Sequence, residues 1–570
     1  MLAHTASRWD YGVALLLLAV LVGLCLTSIP YNSPTSDEQN HVSRGYHYLV
    51  TGNLDLNVAP PLVNALSGVP LLLREGMVLP LYDTTHRKTY INQFAEEFVW
   101  VYNDADTVIN SGRLPIVLLS VVLGCYVFSW ARELWGARAG LLALFLYVLD
   151  PNILAHSHLA TTDLGLTCFI FISMYYLWRF WVRRKILDLS ASGVAIGLAL
   201  ATKLSAPLLI PIAGIAAVIE AFVVRDTTLS VHLPWLARIS PSPRVMRLCF
   251  LFVVLVLLSL FAFFTLWASY CFETAPLAAR GSHATVDRLI SRPALRQLTY
   301  RVVESIRIPF PTYFEGLGWL RRYAEKGTPA FLMGEHSTQG WWYYFLVAFA
   351  LKTPLPTLVL VGLALLVTLR GHHVRAKRAY VLWIPVVAFF AVSFCSFLSI
   401  GYRHILPILP FLFVLASRAV LWLDRRWVKL ALVSLGLWYA VGTIRIHPHY
   451  LAYFNEIAGG PDRGFEYLVD SNLDWGQDLK NLGVYMEESG LDSVYLAYFG
   501  SARPSYYGIE ALPLPRERPE DLETRRPAVY AISATILQGG YLGDPEAFGW
   551  LRQYEPDVKI GYSIFLYRLP

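Results

Sequence analysis

The sequence predicts an α-helical polytopic membrane protein of about eleven transmembrane helices with a small C-terminal α/β domain outside the bilayer, and three observations carry that expectation. Of 570 residues, 55% are hydrophobic and only 15% charged, with a mean hydropathy of +0.46; soluble domains hold roughly 25% charged residues. Apolar runs of about 20 residues, the length that spans a bilayer core, begin near Tyr11, Leu114, Ala139, Leu164, Leu189, Ser205, Leu248, Trp341, Tyr380, Ile405 and Val428. Beyond residue 446 the chain is less apolar and punctuated by proline, with strand-like runs at 493–499, 528–537 and 562–567.

These runs divide the chain into a membrane domain, 1–446, and an extracytoplasmic domain, 447–570. The first run follows Arg8 as in a signal peptide, but no small-residue cleavage site follows it, so it reads as an uncleaved span. Arg132/Arg138, Arg183/Arg184/Lys185, Arg370/Arg375/Lys377/Arg378 and Arg425/Arg426/Lys429 lie in short connections, which the positive-inside rule makes cytoplasmic. A single span over Leu189–Phe222 would contradict this. Two spans turning near Thr202-Lys203 reconcile every basic connection, including the one with Arg238, Arg244 and Arg247. The N-terminus is then cytoplasmic, the C-terminus is outside, and large outer loops cover 31–113 and 270–340. Within the first loop, Leu62–Leu73 is too short to span and reads as an interfacial helix. Trp and Tyr, 17 and 33 of them, suit the two wet–dry boundaries.

Several chemistries lack support. No basic run is interleaved with aromatics as in a nucleic-acid groove. There is no P-loop, no GxGxxG leading into a helix, no GxSxG and no HExxH. The six cysteines, at 25, 125, 168, 249, 271 and 395, lie in or beside apolar runs without CxxC spacing and read as small core hydrophobes.

Five constellations stand out, all on the predicted outer face. Asp37 and Glu38, with His41 four residues after Asp37, place an acid, a base and a metal-ligand type near one helix start. Ser36 with Gln39 would equally make a capping box. His156, His158 and Asp163 lie at the turn before the fourth span, where they suit a metal or a phosphate-bearing ligand; Thr162 or Asp163 would alternatively cap that span. Lys203 sits in an apolar stretch, a costly place for a cation without a partner unless it snorkels to the interface. Arg403, beside His404, lies on the wrong side for the positive-inside rule, which points to an anion holding it there. Asp474 and Trp475 open the outer domain, suited to gripping a sugar or, with Gln477, to capping a helix.

Taken in order, these segments resemble the membrane-embedded (GT-C) glycosyltransferases that use polyprenyl-phosphate sugars, specifically the protein-O-mannosyltransferase-like family, glycosyltransferase family 39. The residues carrying the likeness are Asp37-Glu38 with His41, Pro60-Pro61, His156 to Asp163, Thr202-Lys203, and Gly340 to Phe345 with Lys352-Thr353-Pro354. Gly401 to His404, Tyr453 to Glu456 and Asp474 to Gln477 complete it. The resemblance implies a GT-C fold in a bacterial inner membrane and transfer of mannose or a similar sugar from a polyprenyl-phosphate carrier to an acceptor hydroxyl, with inversion, on the non-cytoplasmic face. It implies Asp37 as general base and Glu38 as a group orienting the acceptor or a divalent metal, with His41, His158, Asp163, Lys203, Arg403, His404, Asp474 and Trp475 binding substrate. The loop 270–340 is too short for the β-trefoil of eukaryotic protein mannosyltransferases, so the acceptor stays open between protein, lipid and glycan. A lipid-linked-sugar flippase would show inverted repeats and midplane charges. A non-catalytic envelope assembly protein would not need the carboxylates or the cations.

Overall fold

The computed structural model of the chain describes residues 7–56, 59–81, 87–222, 243–276, 293–369, 378–396, 398–518 and 528–569. Arg238, Arg370, Arg375 and Lys377, on which part of the topology argument rests, lie outside the described residues.

The chain is a polytopic membrane protein, and every expected apolar run is helical. Five helices are long and apolar enough to cross a membrane alone: Arg8–Ser28 with the short turn after it, Ala105–Trp135, Thr162–Arg183, Val245–Ser269 and Arg426–Ile446. The other runs are broken. Ala137–Val148 and Pro151–Ser157 meet at 66°, and Tyr344–Lys352 and Leu355–Leu369 at 115°; Ile186–Leu200, Ala206–Phe222, Ala379–Ser393 and Leu406–Trp422 are shorter apolar helices. Among the described residues 5 helices pass by length alone, or up to 7 with each bent pair taken as one span, and the remaining expected runs are the shorter helices. Proline is the physical reason: Pro151, Pro354, Pro207, Pro211, Pro407 and Pro410 remove backbone donors at or near these breaks and at the starts of the shorter helices. The pair divided at Thr202-Lys203 is among them, as the charge argument required.

The first outer loop folds onto the ends of these helices. Its helix Glu38–Thr51 crosses Leu62–Gly68 so closely that a Cβ on Gly45 would lie 1.7 Å from the Asn64 carbonyl oxygen. Leu62–Leu73 is helical with Val63 and Leu71 buried and Leu72 and Leu73 exposed, the pattern of a helix lying on an interface.

Nine short strands are described. β1 (Thr274–Pro276) pairs with β2 (Arg307–Pro309), and β3 (Ala330–Leu332) with β4 (Glu335–Ser337), in two small antiparallel pairs, and the helix Pro311–Lys326 lies between them in the loop 270–340. The C-terminal sheet holds β5 (Ser493–Ala497), β6 (Glu510–Pro513), β7 (Ala528–Ser533), β8 (Val558–Ile560) and β9 (Ile564–Leu569) in the order β6-β5-β7-β9-β8. The pairs β5/β6 and β5/β7 are parallel, β7/β9 and β8/β9 antiparallel.

This sheet shares its core with the first outer loop, since Val42, Phe94, Phe98 and Val108 cluster with Leu482, Met486, Val494 and Ile564. A polar latch follows the same seam. Lys480 pairs with Asp106 at 2.6 Å, Tyr506 donates to Asp104 at 2.6 Å, and Arg503 pairs with Glu96 at 2.6 Å. Between sheet and membrane helices, residues 450–478 thread through the centre and carry much of the site. Among the cysteines only Cys25 and Cys168 are buried; Cys125, Cys271 and Cys395 are exposed, so three of the six do not serve as core packing.

Candidate active site

Three segments distant in sequence meet at one junction: the turn before Glu38, the turn at Gly401–His404 and the run of turns around Trp475. The first and third pair backbone to backbone, Ser36 N–H donating to the Trp475 carbonyl at 3.0 Å and Ser33 N–H to that of Gln477 at 2.9 Å. The second is clasped by the third. Tyr402 N–H donates to Asn472 Oδ1 at 2.9 Å, and Ser471 Oγ donates to the Ile400 carbonyl at 2.8 Å. Glycine at 401 leaves room for that bond, because a Cβ there would sit 2.1 Å from Ser471 Oγ and displace the hydroxyl.

The junction aligns four charges. Arg403 Nη1 donates to Asp37 Oδ2 at 2.9 Å and lies 4.0 Å from Asp163 Oδ2, and Lys203 Nζ reaches Asp163 Oδ1 at 2.5 Å. The order is therefore Asp37, Arg403, Asp163, Lys203. The Arg403 guanidinium lies flat over Trp475, 4.2 Å from the ring, a cation–π seat that fixes its plane. Asp163 is 2% exposed, whereas the Asp37 side chain is 42% exposed, so Asp37 is the carboxylate that an incoming molecule can reach. Burial works to raise the Asp37 carboxyl, but Arg403, then His41, more than reverse this and hold it below the usual carboxylate range. Asp37 is thus ionised and ready to accept a proton.

Two nitrogen positions here have no partner among the described residues, Arg403 Nε and His404 Nε2, both buried. Burial, helped by the cations Lys203 and Arg403, drives the His404 imidazole well below its ordinary range, so it is neutral. Buried donors left unpaired are costly unless something else satisfies them. Two cations with an unused N–H form a cradle for an oxyanion, phosphate above all.

The structure separates the other expected residues. Glu38, one residue from Asp37, points the opposite way and is fully buried. Its Oε1 and Oε2 accept from Arg113 Nε and Nη2, each at 2.8 Å, and from the amides of Ala160 at 2.7 Å and Thr35 at 2.9 Å. Every oxygen is engaged in the wall of the site. His41 stays beside Asp37 and donates from Nδ1 to Asn64 Oδ1 at 2.8 Å, leaving Nε2 as an acceptor. Burial lowers its basicity although Asp37 opposes this. His158 turns away, with Nδ1 donating to the Leu154 carbonyl at 2.6 Å and Nε2 accepting from Asn32 Nδ2 at 3.0 Å. Asp474 is sealed behind Trp475, accepting from the Thr535 amide at 2.8 Å, and burial raises its carboxyl to about 7.

None of the three helix caps offered by the sequence forms. Ser36 Oγ bonds the Trp475 carbonyl and Gln39 accepts from the Trp100 indole. Thr161 precedes Thr162–Arg183 without a capping bond, Asp163 being taken by Lys203. Gln477 bonds Trp475 N–H and the Leu473 carbonyl.

Arg113 is absent from the candidates the sequence offers, although it carries the same signal as Arg403, a cation at the end of an apolar helix. Asp470 belongs to the polar stretch around Trp475 that the sequence does offer, and its left-handed backbone, φ 58°, is what the sequence does not show.

From Leu200, three residues before Lys203, an apolar groove runs between Ile186–Leu200, Leu209–Phe222 and the long helix Pro243–Ser269, lined by Ile196, Ile210, Leu258, Ala262 and Leu266 and closed by Phe310 and Tyr313. Among the described residues no three His, Cys, Asp or Glu side chains are gathered to hold a metal ion. Asp37 and Asp163 face Arg403 and Lys203 instead.

Residues 105–267 match the family model described as dolichyl-phosphate-mannose-protein mannosyltransferase, which places this stretch, less than half of the chain, with that family. No curated protein matches the chain in sequence. Among solved structures, ArnT from Cupriavidus metallidurans bound to undecaprenyl phosphate is 13% identical with a TM-score of 0.47, covering 97% of each chain. The apo Archaeoglobus fulgidus oligosaccharyltransferase is 12% identical with a TM-score of 0.45, over 90% of this chain and 65% of that one. Archaeal AglB from the same organism, in complex with an inhibitory peptide and a dolichol-phosphate, is 12% identical with a TM-score of 0.43, over 93% and 70%. Likenesses this distant say nothing of this chain's substrates.

Proposed function

We propose that this chain, whose residues 105–267 match the dolichyl-phosphate-mannose-protein mannosyltransferase family, is a membrane glycosyltransferase that moves a sugar from a polyprenyl-phosphate carrier to an acceptor hydroxyl. The observation that carries the reading is the line Asp37, Arg403, Asp163, Lys203, with an accessible carboxylate at one end and two cations along it, of which Arg403 keeps a buried Nε–H without a partner among the described residues. The donor phosphate takes the cradle. Arg403 and Lys203 stabilise the charge that grows on it as the glycosidic C–O bond breaks, and Asp37 removes the acceptor proton at the opposite end. Attack from that end, opposite the departing phosphate, inverts the anomeric carbon. The polyprenyl tail lies in the apolar groove lined by Leu200 and Pro207, on either side of the Lys203 turn in sequence. Glu38 acts here as a positioning residue, tying the Asp37 turn to Arg113.

The charges gather at one end of the helices rather than midway along them, which favours an enzyme over a flippase. On the orientation argued from the basic connections, this end faces away from the cytoplasm in a bacterial inner membrane. Cys271, exposed just past Ser269, is then labelled by a membrane-impermeant maleimide added to intact cells; protection until lysis would reverse the orientation.

The decisive test is Asp37→Asn. Loss of a general base lowers transfer by about 10²–10⁴-fold, and the variant still binds polyprenyl phosphate. Unchanged transfer removes Asp37 as the base.

A further inference from the structure

The last span delivers the chain into the outer domain at His449, where an ion pair ties the two together. His449 Nδ1 lies 3.4 Å from Asp478 Oδ1. The nitrogen is off the line of a hydrogen bond, so charge rather than bond geometry holds the contact, and it is strongest when the imidazole is protonated. The Asp478 side chain is fully buried, whereas that of His449 is 24% exposed and open to solvent protons.

Asp478 gathers the elements around it. Its Oδ2 accepts from Ser563 Oγ at 2.7 Å and Gln477 Nε2 at 2.8 Å, and its Oδ1 from Asn481 Nδ2 at 2.8 Å. The turn between β8 and β9 comes so close that a Cβ on Gly561 would lie 1.9 Å from Oδ1. These donors are all neutral, and among the described residues His449 is the one ion partner of this buried group. The contacts run on to the candidate site. Gln477, bonded to Asp478 through Nε2, accepts from Trp475 N–H through Oε1 at 2.8 Å, and the Trp475 ring carries the Arg403 guanidinium at 4.2 Å.

The other groups around His449 leave the titration to it. His447 and Tyr450 bond one another, ring nitrogen to hydroxyl, at 2.9 Å. Tyr562 meets the His449 imidazole edge-on with ring centres 6.0 Å apart, and His158 lines the same small cavity with Asn32 and Gln477. Arg445 stands one turn earlier, at the end of Arg426–Ile446. Burial pushes the His158 imidazole down to about 3 and lowers His447, and it raises the Tyr450 and Tyr562 phenols. Burial also works to lower His449, but Asp478 more than reverses this and raises it above the ordinary histidine value.

Resting on the reading that Arg403 receives the donor phosphate, we propose that Asp478 and His449 are positioning residues of the transfer reaction. The charged pair fixes Gln477, Gln477 fixes Trp475, and Trp475 holds the plane of Arg403 toward the phosphate. The tie is also set by pH. A contact made by the cationic form is complete below the ordinary histidine value, about 6.5, and is lost as pH rises through the raised one. Phosphate binding therefore weakens on the alkaline side of that transition.

The full-length protein in nanodiscs, labelled with 5-fluorotryptophan, tests this by fluorine NMR, with the Trp475 resonance assigned by its loss in Trp475→Phe. In wild type that resonance moves with pH along one titration whose midpoint lies above about 6.5. His449→Gln and Asp478→Asn each abolish the movement while the other tryptophan resonances stay in place, which shows that both variants are folded. The methyl phosphodiester of a polyprenol, a phosphate with no second ionisation, then reports on Arg403. Its Kd rises about fivefold across the same midpoint in wild type, the scale of one ion pair, and stays level in His449→Gln. The proposal falls if the Trp475 resonance does not titrate, if it titrates alike in His449→Gln, or if it titrates while Kd stays level in wild type. A phosphodiester that binds at no pH, beside a Trp475 resonance that still titrates through His449, overturns the donor reading instead and leaves the tie to Trp475 standing.

Discussion

Adjacent carboxylates with opposite fates show what decides function at the scale of a residue. Asp37 and Glu38 are interchangeable as sequence, and both read as acids at a helix start. One is open and paired with Arg403; the other is sealed on Arg113. Which of the two turns outward depends on Arg113 and Ala160, distant in the chain, so no local pattern reveals it. The pairing also makes a pH prediction. In the free protein Arg403 holds the Asp37 carboxyl below the usual carboxylate range. A bound phosphate draws Arg403 toward itself and weakens that hold, so the carboxyl rises toward its ordinary value. The acid limb of kcat/KM reports the free enzyme, and that of kcat the bound one. A depressed carboxylate loses activity only as pH falls through its lowered value, so the acid limb of kcat is expected at higher pH than that of kcat/KM. Coincident limbs in steady-state profiles would mean that Arg403 does not exchange partners.

At the scale of elements, the apolar runs and their charge-flanked breaks were legible because hydropathy and the cost of a misplaced cation act locally. The turn at Thr202-Lys203 follows from those two facts alone, as does Lys203 at its tip. Strands fared unevenly. β5, β7 and β9 were visible as apolar runs, but β6, an edge strand reading Glu-Ala-Leu-Pro with every residue exposed, and β8, three residues long, carry no alternation to find. Capping signals mislead for a related reason: Ser36, Gln39 and Asp163 take the Trp475 carbonyl, the Trp100 indole and Lys203 as tertiary partners instead. Arg113 makes the densest set of tertiary bonds here, donating to Glu38 and also to the carbonyls of Ile29 at 3.1 Å, Asn32 at 2.8 Å and Ser33 at 3.1 Å. It joins the end of the first span, the turn before Asp37 and the second span. Removing one member of such a fully buried pair costs about 3–5 kcal/mol. Arg113→Met is therefore expected to lower the thermal midpoint more than Glu38→Gln, which keeps an acceptor oxygen and leaves the three carbonyls bonded. Equal midpoints would show that Arg113 serves Glu38 alone.

Across the whole molecule, the segment 450–478 packs between the membrane helices and the C-terminal sheet, and Lys352 is where the coupling of the two can be measured. Its ammonium is 2% exposed at the end of an apolar helix, with no carboxylate in its hydrogen-bonding shell. Nζ donates to the carbonyls of Leu451 at 3.0 Å and Tyr453 at 2.9 Å and to that of Asn472, and lies 4.5 Å from the Phe454 ring. All four partners lie beyond residue 446. A chain ending there keeps the cation and loses every hydrogen-bond acceptor of its ammonium, at a cost of several kcal/mol for a buried charge so stripped. The same substitution should then act in opposite directions. In the full chain, Lys352→Met leaves three buried carbonyls without their donor, at about 1–3 kcal/mol for each one that finds no water, and lowers stability. In the chain ending at 446 the methionine removes the stranded charge and raises the fraction that elutes as a single species in detergent. Size-exclusion profiles and thermal midpoints of the four proteins decide it. A shift of the same sign in both chains would mean that Lys352 answers to the membrane helices alone and that the outer segment is an appendage.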